Sequence, residues 1–257
     1  MRRCLLVIAH TVCAARALGR MQEPPARGSL WRFGYDSPVN VNDSYTDCGG
    51  TERLWHLNGG NCGMCGDAFD LPVPRPHEIG GVYGQGLITR RYEPGQYIDV
   101  ELNFTGQLGG YFQFSVCKIE DYPVDRKRAV KQIKCRSRRP LDTEETGEPL
   151  YSITVPRNYY KLRVKLPRRY QCHWCVLVWE YWTGSPCGLD QDCNVPQGQL
   201  KSCADIMILN NHVEGKYSLA LTTTTTTTES DEPLKFSERK TEDVNVNGID
   251  FYAKYLV

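Results

Sequence analysis

Histidine, cysteine and the carboxylates are the residue types in this chain that could hold a metal or move a proton. The sequence has five histidines and twelve cysteines in 257 residues. Beyond residue 17 the histidines are His56, His77, His173 and His212. No two stand at the H-x-x-x-H spacing that puts a pair of imidazoles on one helical face. No G-x-S-x-G or other nucleophile motif occurs. The carboxylates are scattered, so no pair stands out for acid–base work on a glycosidic bond. Cys62-Gly63-Met64-Cys65 and Cys172-His173-Trp174-Cys175 are C-x-x-C pairs, a spacing that zinc ribbons and disulfides share.

The compartment decides between those two. Arg2 and Arg3, the apolar run from Leu5 to Val12 and the small-x-small Ala15-Arg16-Ala17 mark residues 1–17 as an expected signal peptide. His10 and Thr11 interrupt that run. Cleavage after Ala17 would remove Cys4 and Cys13 and leave ten cysteines: Cys48, Cys62, Cys65, Cys117, Cys135, Cys172, Cys175, Cys187, Cys193 and Cys203. An even set in an exported chain reads as up to five disulfides, with the pairing open. Sequons at Asn42 and Asn103 agree with a secreted, extracellular glycoprotein. No later stretch is long and apolar enough for a spanning helix, so no membrane partner is expected. A formal net charge of +1 gives no global pull toward nucleic acid.

Short alternating runs must carry these groups. Ile98, Val100, Leu102 and Phe104 alternate with polar residues, as do Phe112, Phe114 and Val116, and then Leu162, Val164 and Leu166. Ile153 and Val155 suggest a further strand. Cys175 to Trp182 is almost continuously apolar, as a central strand buried on both faces would be, and Ala204 to Leu209 closes the series. The fold expected is all-β, an immunoglobulin- or fibronectin-like antiparallel sandwich with long disulfide-stapled loops. Residues 18–70 show little periodicity, and are expected to be held by disulfides and by Trp31, Phe33 and Trp55. Residues 126–139 hold eight Lys or Arg and no acid; they read as a solvated loop, or as a patch for an anionic matrix glycan. Residues 211–257, with threonine at 222–228, read as a disordered linker and tail.

Ordered blocks then point to a family. Leu18-Gly19-Arg20-Met21-Gln22-Glu23-Pro24-Pro25-Ala26-Arg27 and Trp31-Arg32-Phe33-Gly34 resemble the mature start of animal lytic polysaccharide monooxygenases, which carry the chitin-binding type-4 domain. The resemblance continues through Cys48-Gly49-Gly50, Cys62 to Asp67, Pro74 to Glu78, Gly110-Tyr111-Phe112, Cys172-x-x-Cys175, Trp179, Thr183-Gly184 and Cys203-Ala204-Asp205-Ile206. It covers about residues 18–209 and implies the same sandwich. The family's substrates are crystalline chitin or cellulose, and its cofactor is copper. Copper sits in a brace formed by an N-terminal histidine and a second imidazole, with an aromatic ring near the axial position. Three nitrogens of this kind suit copper and leave room for an oxygen species.

Carried over residue by residue, the resemblance puts leucine at each of those positions. The first histidine aligns with Leu18, before Gly19-Arg20. The second aligns with Leu108, in Thr105-Gly106-Gln107-Leu108. The axial aromatic aligns with Leu200, three residues before Cys203. Leucine has no lone pair, so no cofactor is expected and no catalytic residue is assigned. His77 lies in a block that the family carries outside its copper site, and His173 lies between two cysteines. The three leucines suggest a hydrophobic replacement, each contributing roughly 1.5–3 kcal/mol if fully buried. The function expected first is binding of chitin or a related insoluble polysaccharide on the face around Leu18 and Leu108. The alternatives are a secreted protein- or matrix-interaction role, and copper-dependent oxidative cleavage using other ligands.

Overall fold

The computed structural model describes residues 18–106, 109–119, 135–184 and 197–210. The expected signal peptide, the tail, Leu108, His212, Cys187, Cys193 and residues 126–134 of the basic run lie outside the described residues. Two sheets pack face to face. In the smaller, β1 (Leu18–Glu23), β3 (Tyr97–Gly106) and β7 (Tyr159–Lys165) run antiparallel in the order β1-β3-β7. The larger sheet contains β2 (Arg90–Tyr92), β4 (Gly110–Lys118), β5 (Arg136–Leu141), β6 (Leu150–Ile153), β8 (Cys172–Thr183) and β9 (Gln199–Ile208). Its order is β2-β9-β8-β4-β5, and β6 also pairs with β4. The expected all-β sandwich is what the chain forms. One pair departs from the antiparallel expectation, because β2 lies parallel on β9.

Period-2 alternation decides which side chains meet between the sheets. Ile98, Val100, Leu102 and Phe104 of β3 and Leu162 and Val164 of β7 face inward from one side. Phe112, Phe114 and Val116 of β4, Trp179 and Tyr181 of β8, and Leu200, Ala204 and Ile206 of β9 face them from the other. The opposite face of β8 is also covered. Val176 and Val178 pack with Cys65, Ile79, Cys117 and Cys203 in a second cluster. The continuous apolar run from Cys175 is therefore a central strand with both faces buried.

Four disulfides join described cysteines: Cys48–Cys62, Cys65–Cys203, Cys117–Cys135 and Cys172–Cys175. Both C-x-x-C motifs are thus oxidised, Cys62 and Cys65 to different partners. Of the aromatic side chains expected to hold residues 18–70, Trp31 and Trp55 do so through indole N–H groups that donate to the Asn40 and Gln197 carbonyls, rather than by full burial. Phe33 and Trp55 are 44% and 45% exposed, and Trp31 is half-buried. Buried polar anchors add to them. Arg27 in the 3-10 helix Arg27–Phe33 makes two hydrogen bonds to the Asp205 carboxylate at 2.7 and 2.6 Å, and a third to the His77 carbonyl. Trp174 Nε1 donates to the same carboxylate. A buried carboxylate is tolerated only when its oxygens are filled in this way.

Candidate functional site

The start of β1, Gly106 at the end of β3, Gly109 and the start of β9 share one end of the sandwich. Leu18 is half-buried and pairs with Gly106. Gly19, next to it, must be glycine: a Cβ there would lie 2.8 Å from Phe104 Cδ1 and 3.3 Å from the Asn103 carbonyl. The Phe104 ring stands edge-on to Tyr181, with centroids 5.3 Å apart. Tyr181 is the cross-strand partner of Leu200, and its hydroxyl donates to the Gly109 carbonyl at 2.6 Å. A continuous packed path therefore runs from the Leu18–Gly19 backbone through Phe104 and Tyr181 to Leu200.

The three sequence-assigned positions end up in different environments. Leu200 is 1% exposed and belongs to the core between the sheets, so it adds to packing rather than to a surface patch. Leu18 lies at the edge. Leu108 falls outside the described residues, between Gly106 and Gly109, which the structure does place at this end. The side chains of Leu18 and Leu200 offer hydrocarbon and no donor atoms.

Two exposed aromatic residues at this end were not legible as surface groups. Gly19 N–H donates to the Ser44 carbonyl, and Lys201 N–H to the Thr46 carbonyl. Tyr45, between those tethers, is 51% exposed. The tethers are reinforced by Asp43, a buried carboxylate that pairs with Arg20 and Arg32. The hydrogen bond to Asp43 raises the Arg32 pKa. Trp55, in the π-helical turn Arg53–Leu57, donates from Nε1 to the Gln197 carbonyl beside β9 and keeps its ring exposed. Tyr45 stands among polar and turn-forming neighbours, and that placement is the one sequence signal that could have marked it.

The remaining described histidines have other work. His77 Nδ1 lies 2.7 Å from Asp67 Oδ1, its Nε2 lies 3.2 Å from Asn40 Nδ2, and its ring stacks on Tyr83. With the Asn40 amide nitrogen assigned as donor, Nε2 accepts and Nδ1–H donates. Both ring nitrogens are thus committed to packing the 67–83 segment. His173 is exposed beside the Cys172–Cys175 disulfide, and His56 is exposed in the π-helical turn. Among the described residues, no group of three or more His, Cys, Asp or Glu side chains is close enough to hold a metal ion.

The family model described as lytic polysaccharide mono-oxygenase, cellulose-degrading, matches residues 19–206. The chain belongs to the lytic polysaccharide mono-oxygenase family. It is similar to the AA15 lytic polysaccharide monooxygenase from Thermobia domestica, solved in its Cu(I) state, at 34% identity and a TM-score of 0.64. That likeness covers 74% of this chain and 98% of the other. A chitin-binding domain from Burkholderia pseudomallei aligns at 11% identity and a TM-score of 0.42, over 76% of this chain and all of that one. An AA10 monooxygenase from Streptomyces lividans aligns at 13% identity and 0.45, over 74% and 99%. No curated protein sequence matches.

Proposed function

We propose that this member of the lytic polysaccharide mono-oxygenase family is a secreted polysaccharide-binding domain that works without the copper brace. Its ligand is crystalline chitin or a related insoluble β-glycan, held at the sandwich end that carries Leu18, Leu108, Tyr45 and Trp55. The single observation that carries the reading is the surface chemistry of that end. Tyr45, beside the Gly19–Ser44 tether, and Trp55, bonded to the Gln197 carbonyl ahead of β9, are both exposed, and flat apolar rings suit the hydrogen-rich faces of packed sugar rings.

The residues present do not fit the family's copper. The sequence blocks align Leu18, Leu108 and Leu200 with the two histidines and the axial aromatic. A leucine side chain has no lone pair to give, and Leu200 is sealed in the core. Even with residues 1–17 removed, the Leu18 amine would supply one nitrogen where the brace takes three. No oxidative step is therefore derived for this chain. Disulfides joining the loops to β4 and β9 are in keeping with an oxidising, extracellular setting.

Incubating the purified mature protein with crystalline chitin and with cellulose, then sedimenting the solid, tests the reading. Depletion from the supernatant that saturates with protein concentration is expected. Full recovery in both supernatants would overturn it.

A further inference from the structure

The outer face of the larger sheet is divided. The second apolar cluster, around Cys65, Val176 and Val178, covers one half of it. The other half forms an open groove of about 970 Å³ among the described residues, in the size range of small-molecule sites. Its side chains come from the outward positions of adjacent strands. Tyr111 of β4 pairs with Trp182 of β8, and Gln113 pairs with Glu180 in the next outward row. Both rings are half-buried and stack on each other, with centroids 5.0 Å and planes 21° apart.

The polar row beside the rings holds a buried charge network. Glu180 has a side chain only 5% exposed, although it sits on the outward face of the sheet. Arg138 and Lys201 flank its carboxylate, Lys201 Nζ at 2.9 Å, and Gln113 Nε2 donates to it at 3.3 Å. Burial alone would raise the Glu180 pKa, but the two cations outweigh it and the net shift is downward. Such a network stabilises a fold weakly, because desolvating its charges costs about what their attraction returns. What it does provide is a rigid set of planar donors and acceptors beside an aromatic wall.

We infer that this groove is a second carbohydrate site, on the sheet face opposite to the buried Leu200, which takes a single neutral β-linked hexose chain. An aromatic wall next to planar amide, carboxylate and guanidinium groups matches a pyranose ring, apolar on its faces and rimmed with hydroxyls. Charge balance selects a neutral sugar. Arg138 and Lys201 are both engaged with Glu180, and Glu148 adds an acid at the rim, so no excess positive charge faces the groove.

The test is isothermal titration of the full mature chain with N-acetylglucosamine hexamer and with cellohexaose, for the native protein and for Trp182→Ala and Trp182→Phe. The expected result is one hexasaccharide per native chain, at least tenfold weaker binding for Trp182→Ala, and near-native binding for Trp182→Phe, which keeps a flat ring. Retention on insoluble chitin should persist in both variants, because Trp182 projects from the sheet face opposite to Tyr181 and Leu200. No binding of either hexamer, equal binding by native and Trp182→Ala, or tighter binding of a sulfated hexasaccharide would overturn the inference. Loss of chitin retention by the native chain would instead count against the leucine-end reading and leave the groove result standing.

Discussion

The Tyr181 hydroxyl donates to the Gly109 carbonyl at 2.6 Å while the same residue faces Leu200 across β8 and β9. One side chain thus links the buried leucine to the backbone at Gly109, just ahead of β4. Its ring also meets Phe104, against which Gly19 packs. Tyr181 therefore ties the Gly109 backbone, the Phe104 ring of β3 and Leu200 of β9 together at this end.

Tyr181→Phe keeps the ring and removes only the hydroxyl. The Gly109 carbonyl loses that donor, so the variant should be less stable by about 1 kcal/mol. Chemical denaturation gives the stability, and chitin sedimentation should show weaker retention at the same temperature. Unchanged stability and retention would mean the bond does not organise this end of the sandwich.

Arg27 and Asp205 form an ion pair with both side chains 1% exposed. Truncating one partner strands the other charge in the core, so Arg27→Met or Asp205→Asn should each cost roughly 3–5 kcal/mol. The double variant should be less destabilised than the sum of the two singles, because neither charge is then left alone. A double-mutant cycle by urea denaturation checks the sign of the coupling.

Glu180 sets a pH dependence whose direction follows from its lowered folded-state pKa. A carboxyl more acidic in the folded state than in the unfolded chain stabilises the fold above the unfolded value, about 4.3. That contribution is lost as pH falls from there through the lower folded value. Stability compared between pH 6 and pH 3 should fall less in Glu180→Gln than in the native protein. An equal fall in both would place the acid sensitivity elsewhere.

The disulfides should differ in worth. Cys65–Cys203 closes a loop with a sequence separation of 138, against 14 for Cys48–Cys62. Loop-closure entropy grows with length, from about 3 kcal/mol for a 15-residue loop to about 4.7 for a 100-residue loop. Replacing Cys65 and Cys203 together with alanine should lower the Tm more than replacing Cys48 and Cys62, as calorimetry would show.

The legible parts of the fold were those whose pattern is local. β3, β4 and β7 announced themselves by alternation, and β8 by a run buried on both faces. β1, β2 and β5 did not. β2 is three residues long, and β1 buries only Gly19 and Met21 among polar neighbours. β5 reads as the end of a basic loop because the partner that makes its charge sensible, Glu180, lies 42 residues away from Arg138. Trp55 and Phe33 look like core residues in the sequence and are exposed, and the buried Arg27–Asp205 pair anchors the segment that they were expected to hold. At the candidate site, flanking blocks gave the positions of Leu18 and Leu200. That one is half-buried and the other sealed in the core depends on cross-strand register, which no local pattern encodes.

Binding of insoluble polysaccharide without copper is the central claim, and sedimentation with crystalline chitin in the presence of EDTA tests it most directly. The mature protein, its N-terminus verified by mass spectrometry, should leave the supernatant to the same extent with EDTA as with added copper. A protein that stays in solution under both conditions, or is retained only when copper is supplied, would contradict the account.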